Sequence, residues 1–185
     1  MKKNRWLALL LMLALLLTLG ACRKTPDQGA GETPSPEDAE TASDGPRLSF
    51  TTVDVYGESV TSEALFGGNK YTMINCWTSW CPPCIGELSE LEDLSKSFAE
   101  KGCALVGLLY DGKDPAGLAD ALEIMGEKGV SYVNLIPWEG VDDILRIQAV
   151  PTSFFVDSEG NIVGEFIIGA DPARYARVLE QLLAE

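Results

Sequence analysis

The sequence predicts an α/β domain in which a central mixed β-sheet is flanked by helices, with a β-hairpin extension at its N-terminus. Three observations lead to this fold class. From residue 47 onwards, strand and helix patterns follow one another as βαβα, then a short βα unit, then ββα. The stretch Tyr71–Trp77 is apolar without strict alternation, as in a strand covered on both faces. Strands joined by helices run parallel, whereas the last two are separated only by a turn and should pair antiparallel.

The elements of the first half follow from local patterns. A turn at residues 56–58 separates short strands at residues 48–53 and Ser59–Thr61, which predicts the hairpin. Pro82 and Pro83 stand at the start of the next helix, where proline is tolerated. Apolar residues then recur at helical spacing as far as Gly102, and a second apolar strand follows at residues 103–109.

The second half is bounded by clear start signals. Asp114 with Pro115 opens a helix as N-cap and first position, and Asp171 with Pro172 opens the last helix, whose buried face includes Tyr175. A turn-forming segment at residues 157–161 separates the last two strands. The other predicted elements are a strand at residues 132–136, a helix at 141–147, and strands at 152–156 and Ile162–Ile168.

The N-terminus indicates export and lipid attachment. Three basic residues lie within residues 1–5, and the apolar stretch at residues 6–19 is too short for a membrane span, which is typical of a signal peptide. The stretch ends in Leu19-Gly20-Ala21-Cys22, which resembles the lipobox of bacterial lipoproteins. We therefore expect residues 1–21 to be removed and Cys22 to carry the lipid. The alternative is an ordinary signal peptide cleaved after Ala21.

The composition of the remaining chain excludes several classes of function. Residues 22–46 are polar, with no large apolar side chain, and should form a disordered tether to a domain at residues 47–185. Removing residues 1–21 takes away three of the 14 basic residues and none of the 28 acidic ones, which leaves a net charge of −17. Such a surface repels nucleic acid. The absence of histidine excludes Ser-His-Asp and Cys-His hydrolases and histidine-ligated zinc.

The segment Trp80-Cys-Pro-Pro-Cys84 carries the chemistry. Cys81 lies where helix N–H groups and the helix dipole favour a thiolate, so we expect it to be the exposed nucleophile. Cys84, one turn further on, should be more buried and should resolve the mixed disulfide that Cys81 forms. Two cysteines at this spacing also occur as half of a metal site or as a structural disulfide. A permanent bond across so small a loop, however, would stabilise little.

Two motifs together resemble a known family. Residues 75–84, Asn-Cys-Trp-Thr-Ser-Trp-Cys-Pro-Pro-Cys, followed by Glu87 and Leu91, resemble the TlpA/ResA-like family of thioredoxin-fold thiol–disulfide oxidoreductases. Residues 149–157, Ala-Val-Pro-Thr-Ser-Phe-Phe-Val-Asp, are similar to the second signature of that family. The resemblance covers residues 47–185 and implies a thioredoxin fold with a redox-active disulfide.

The resemblance also implies roles for individual residues. Pro151 matches the family's cis-proline, which lies against the cysteines and leaves the backbone of Val150 to pair with an extended substrate. Glu87 matches a glutamate that lies below the cysteines and handles protons; it shares a helix face with Cys84, three residues earlier. The residues expected to line the site are Trp77, Trp80 and Pro82.

The same resemblance implies partners and a location. It indicates a monomeric reductase of protein disulfides, with no cofactor or metal, held by its lipid at the extracytoplasmic face of the bacterial membrane. A membrane electron-transfer protein of the CcdA/DsbD kind would reduce it. Candidate clients are apocytochrome c and methionine sulfoxide reductase.

Three alternatives remain from other classes. The first is a redox-inert thioredoxin fold that holds peptides in the Val150–Pro151 groove. The second is a peroxidase, which is disfavoured because Ile74 stands where a Pro-x3-Thr-x2-Cys loop ending at Cys81 needs proline. The third is an iron–sulfur protein, since Cys76-x4-Cys81-x2-Cys84 with a later Cys103 matches a plant-type ligand spacing.

The chain departs from the family pattern at two positions. Ser89 replaces a usual proline and Cys76 a usual aromatic residue, which bears on substrate specificity rather than on the exchange chemistry. Cys76 and Cys103 fall in apolar strands, so we expect buried thiols. Their strands should be parallel neighbours with an offset of roughly 13 Å, which is too far for a disulfide.

Overall fold

The computed structural model describes residues 46–185, and its centre is a five-stranded mixed sheet in the order β5-β4-β3-β6-β7. Strand β3 pairs parallel with β4 and antiparallel with β6, while β4 and β5 are parallel and β6 and β7 antiparallel. The strands of this sheet are β3 (Tyr71–Trp77), β4 (Ala104–Leu109), β5 (Asn134–Leu135), β6 (Thr152–Asp157) and β7 (Ile162–Ile168). The predicted fold class is confirmed.

The other described elements are a hairpin and five helices. Strands β1 (Thr51–Val53) and β2 (Ser59–Thr61) pair antiparallel, as predicted. The helices are α1 (Ser62–Phe66), α2 (Pro82–Glu100), α3 (Pro115–Lys128), α4 (Val141–Leu145) and α5 (Pro172–Leu182). Among residues 46–185, no helix is both long and apolar enough to cross a membrane.

Two apolar cores enclose the sheet. Strand β3 is buried on both faces: Met73 and Trp77 belong to one core, Ile74 and Cys76 to the other. The first core is closed by α2, α3 and α5, and the second by α1, α4 and the N-terminal segment around Phe50. This explains why β3 lacks the alternation of a half-exposed strand.

Helix starts were predictable because the signals are local. Proline occupies the first turn of α2, α3 and α5. The Asp114 carboxylate accepts a hydrogen bond from the Gly117 amide, and the Asp171 carboxylate accepts one from the Arg174 amide. Both predicted N-caps are confirmed.

Several predicted bounds were wrong, and helix α1 was not predicted. Strand β1 begins at Thr51 rather than residue 48, because Leu48 is buried and donates its amide hydrogen bond to Gly160 instead of to the hairpin. Strand β5 has two residues rather than five. Helix α4 ends at Leu145 because Arg146 adopts φ 48°. The predicted signal peptide, Cys22 and most of the tether lie outside the described residues.

The topology brings three strand ends to one edge of the sheet. Strands β3 and β4 are parallel, so the loops after Trp77 and Leu109 leave on the same side. Strand β6 runs the other way and begins there, because Thr152 pairs with Cys76. Pro151 therefore arrives beside the loop that carries Cys81.

Candidate active site

Cys81 and Cys84 form a disulfide at the start of α2, with their Cα atoms 5.3 Å apart. Cys81 is the N-cap of the helix, and the amide of Cys84 donates to Cys81 Sγ over 3.3 Å. This donor and the helix dipole would stabilise negative charge on that sulfur after reduction. The geometry suits a thiolate nucleophile at Cys81.

The expected exposure of Cys81 was wrong for this oxidised state. Cys81 is only 4 % exposed, although Cys84 is more buried still, as predicted. The disulfide draws Cys81 towards Cys84, and the carbonyl oxygen of Val150 lies 3.6 Å from its Sγ. Trp80 is 71 % exposed and Pro82 is also at the surface, so both flank the covered sulfur.

The peptide bond between Val150 and Pro151 is cis, as the resemblance implied. Hydrogen bonds fix the chain on both sides of it. The Thr152 hydroxyl donates to the Ala149 carbonyl over 2.8 Å, and the Gly169 amide donates to the Pro151 carbonyl over 2.8 Å. The segment before β6 is thus held against the disulfide.

A groove runs beside the disulfide, with a volume of about 510 Å³. Asp111, which sequence reasoning did not single out, forms part of its wall. Its carboxylate accepts hydrogen bonds from the Ser79 amide at 3.1 and 3.2 Å and from the Ser79 hydroxyl at 2.6 Å. These bonds fix the loop before Cys81 to the loop after β4. The groove is lined by Thr78, Trp80, Tyr110, Asp111 and residues 147–150.

Glu87 lies in the interior, 3 % exposed, at the centre of a polar cluster. Asn75 Nδ2 is 2.9 Å from Glu87 Oε1 and also donates to Ser153 Oγ over 3.0 Å. The Tyr175 hydroxyl is 3.0 Å from Glu87 Oε2. Burial raises the pKa of Glu87 to about 7, against the lowering effect of the hydrogen bonds from Asn75 and Tyr175.

Glu90 and Asp171 add smaller repulsive contributions that also raise the pKa of Glu87. A carboxyl that titrates near neutrality can accept and return a proton under physiological conditions. Since Glu87 follows Cys84 by three residues on α2, its position suits proton transfer with that thiol.

Trp77 does not line the site as expected. Its side chain is fully buried in the first core, and its Nε1 donates to Asn134 Oδ1 over 2.8 Å. Trp77 is therefore a core residue that ties β3 to β5.

The two remaining described cysteines are buried free thiols. Cys76 lies in the second core, whereas Cys81, Cys84 and Cys103 lie in the first, so the sheet separates Cys76 from the other three. The register pairs Cys76 with Leu108, five residues beyond Cys103. This arrangement excludes a Cys76–Cys103 bridge and cannot wrap all four thiols around one iron–sulfur cluster.

Comparison with known proteins gives one consistent result. The sequence model of the AhpC/TSA family matches residues 45–164. A thiol-disulfide oxidoreductase ResA from Bacillus cereus is 30% identical over 175 residues, covering 91% of each chain. Thiol:disulfide interchange protein DsbE from Pasteurella multocida is 26% identical over 167 residues, covering 88% of this chain and 84% of that one.

A solved structure agrees with these relatives. The crystal structure of a thiol:disulfide interchange protein of the thioredoxin family from Chlorobium tepidum TLS superposes with a TM-score of 0.63 at 27% identity. It covers 75% of this chain and 96% of that one.

Proposed function

Because the chain belongs to the AhpC/TSA family and is a thiol–disulfide oxidoreductase of the ResA/DsbE type, we propose that it reduces disulfides of proteins outside the cytoplasm. The observation that carries this proposal is the Cys81–Cys84 disulfide at the start of α2, beside the cis Val150–Pro151 peptide. A redox-inert binding module would not need the Cys81–Cys84 pair.

The reaction runs through a mixed disulfide. The Cys81 thiolate attacks one sulfur of the client, a Cys81–client bond forms, and the other client sulfur leaves as a thiolate. Cys84 then attacks Cys81 Sγ, and the client sulfur that was bonded to Cys81 leaves as a thiolate. The client gains two electrons and the protein is oxidised to the Cys81–Cys84 disulfide. Glu87 accepts the proton of Cys84 as that thiol becomes the nucleophile.

Client binding is assigned to the surface around the disulfide. An extended client segment would pair with the backbone at Val150, against Pro151, and lie between Trp80 and Pro82. The adjoining groove is predominantly apolar with Asp111 in its wall, which suits either an apolar side chain or a cationic side chain with a long apolar stem.

The location and donor form the rest of the proposal. Residues 1–21 act as a lipoprotein signal peptide, Cys22 carries the lipid, and residues 22–46 hold the monomeric domain of residues 47–185 at the outer face of the membrane. A CcdA/DsbD-like membrane protein restores the thiols. Mass spectrometry of membrane-extracted protein tests this: a diacylated Cys22 at the N-terminus is expected, and an unmodified N-terminus would contradict it.

The exchange mechanism is tested with Cys84→Ser and a peptide that contains one internal disulfide. Reduced Cys84→Ser should accumulate a stable mixed disulfide at Cys81, while the reduced wild-type protein releases the dithiol peptide. The matched control is Cys81→Ser, which should form no adduct. Equal trapping by both variants would overturn the assignment of Cys81 as nucleophile.

Peroxide reduction is the second candidate, favoured by one observation. Thr78 stands three residues before Cys81, which is the threonine position of the Pro-x3-Thr-x2-Cys loop, although Ile74 replaces the proline. Under this candidate, Cys81 takes one oxygen from hydrogen peroxide and Cys84 closes the disulfide with release of water. We expect the reduced protein to react with peroxide no faster than an ordinary thiol at equal thiolate fraction; oxidation orders of magnitude faster would favour the peroxidase.

A further inference from the structure

The hydroxyl of Tyr175 makes three hydrogen-bonding contacts in the interior, and the hydroxyl of Ser153 is a further polar neighbour. Its oxygen lies 2.9 Å from the Gly169 carbonyl oxygen, 3.0 Å from Glu87 Oε2 and 3.2 Å from the Asp171 amide nitrogen. Tyr175 is fully buried, so water does not compete for these contacts. The three partners belong to α2, to the end of β7 and to the start of α5.

The number of available protons decides how these contacts are made. A phenol has one proton to donate, and its oxygen accepts from other donors. The Asp171 amide can only donate and the Gly169 carbonyl can only accept, so the phenol proton belongs to Gly169 if both bonds form. The third contact is then a hydrogen bond only if Glu87 is neutral and donates its own proton to the phenol oxygen.

An ionised Glu87 reverses this arrangement. Its carboxylate can only accept, so it competes with the Gly169 carbonyl for the single phenol proton. A charge-assisted hydrogen bond is stronger than a neutral one, so the phenol turns to Glu87 and the carbonyl loses its donor. The hydroxyl of Tyr175 thus has two settings, selected by the charge of Glu87.

The arrangement in which the phenol donates to Glu87 affects the Pro151 segment, where the client is proposed to bind. Gly169, which follows β7, donates its amide hydrogen bond to the carbonyl of Pro151 over 2.8 Å. Gly169 is therefore the residue that holds Pro151 through its amide and accepts, or loses, the hydrogen bond of the phenol through its carbonyl. A chain of direct contacts links Glu87, Tyr175, Gly169 and Pro151.

We propose that Tyr175 is a positioning residue that stabilises ionised Glu87 and relays its charge state to the Pro151 segment. Tyr175 donates to the carboxylate while Glu87 holds no proton, and accepts from the carboxylic acid after Glu87 has taken the proton of Cys84. This inference rests on the proposed role of Glu87 and deepens it.

The other groups that face Glu87 come from several elements packed around it. Asn75 of β3 is neutral, and burial keeps the pKa of Tyr132, before β5, above its ordinary value. Glu90 on α2 and Asp171 at α5 raise the pKa of Glu87 by repulsion, and Ser153 of β6 is a neutral partner of Asn75.

The test is Tyr175→Phe, with infrared titration of the Glu87 carboxyl in the oxidised full-length protein as the readout. Glu87→Gln identifies the carboxyl band by difference. Losing the phenol donor should move the Glu87 midpoint upward by about one pH unit, a tenfold change in proton concentration. The pH midpoint for resolution of the mixed disulfide should move in the same direction.

Tyr132→Phe is the matched control. It removes a hydroxyl that is also buried near Glu87 but has no hydrogen-bond partner among residues 46–185. Its midpoint should stay at the wild-type value. An unchanged midpoint in Tyr175→Phe, or an equal shift in both variants, would overturn the proposal.

A wild-type measurement keeps the test decisive if Tyr175→Phe does not fold. With isotope-labelled tyrosine, the phenol C–O band should change at the Glu87 midpoint, and Glu87→Gln should abolish the change. A band that does not follow Glu87 would contradict the two settings. The infrared readout does not depend on turnover. If the Glu87 midpoint shifts in Tyr175→Phe but Glu87→Gln leaves the pH dependence of exchange unaltered, the proposed proton role of Glu87 is wrong. The proposed contact between Tyr175 and Glu87 is still supported in that case.

Discussion

Glu87 and Cys76 are both buried ionisable side chains, and their neighbours give them opposite properties. Burial raises the pKa of each, but Glu87 has Asn75 and Tyr175 as hydrogen-bonding partners and titrates near 7. Burial alone raises the pKa of the Cys76 thiol far above its ordinary value, so it stays a neutral thiol. At the residue scale, hydrogen-bonding partners separate a carboxyl group that titrates near neutrality from an inert core thiol.

Replacing Glu87 with glutamine should change how stability depends on pH. The folded pKa of about 7 exceeds the ordinary value of 4.5, so the folded protein binds more protons than the unfolded chain between these values. The contribution of Glu87 to the free energy of unfolding is complete below pH 4.5 and is lost as pH rises through 7. Urea unfolding should show wild type losing about 3 kcal/mol relative to Glu87→Gln over this range.

Glu123→Gln, at an exposed position on α3, is the control and should follow the wild-type curve. Parallel curves for wild type and Glu87→Gln would show that Glu87 does not titrate as described.

The site residues in the first two turns of α2 were predicted from the sequence, but their hydrogen-bonding partners were not. Cys81 and Cys84 follow from local spacing, and Glu87 follows from the family resemblance. Asp111 and Tyr175 do not, because Tyr175 meets Glu87 across 88 positions of sequence, through the packing of α5 on α2. Tyr175 was predicted as a core residue, and only the fold shows that its hydroxyl contacts Glu87.

Strands β3, β4 and β5 are joined by one close contact as well as by their backbones. Gly107 of β4 lies under the hydrogen bond between Trp77 and Asn134, where an added Cβ would overlap Asn134 Oδ1 and lie 3.2 Å from Trp77 Nε1. At the scale of elements, glycine is required at position 107 because no side chain fits there, and not because of its backbone conformation.

Gly107→Ala should therefore destabilise the protein by about 3 kcal/mol, from overpacking and the loss of a buried hydrogen bond. Gly126→Ala is the matched control: it lies in α3 with no atom within 4 Å of its added Cβ, so it should gain about 0.5–1 kcal/mol. Denaturant unfolding compares the two. Similar effects from both substitutions would contradict the described packing.

The elements that were predicted correctly have strong local sequence signals, whereas helix α1, which was not predicted, lacks them. Proline and aspartate mark the starts of α3 and α5. Helix α1 has one turn, too short for an apolar periodicity, and it is fixed by the Thr61 cap and the burial of Phe66. Its existence depends on tertiary contact, and therefore only the fold reveals it.

The whole chain has 28 acidic and 14 basic residues, so its field acts on any charged client. Cationic disulfides should approach Cys81 faster than anionic ones, and salt should weaken the difference. Stopped-flow oxidation of the reduced protein by cystamine should slow as ionic strength rises, whereas oxidation by dithiodiglycolate should accelerate. The same salt response for both reagents would argue against electrostatic steering.

We propose that Cys81 and Cys84 cycle as a reducing pair, and their midpoint potential decides whether they do. The protein is equilibrated with dithiol redox buffers at about pH 7, and the fraction of Cys81–Cys84 disulfide is read by thiol labelling and mass. We expect a midpoint below about −200 mV, on the thioredoxin side of the thiol–disulfide scale. A midpoint above about −150 mV, in the range of strong oxidants, would contradict it.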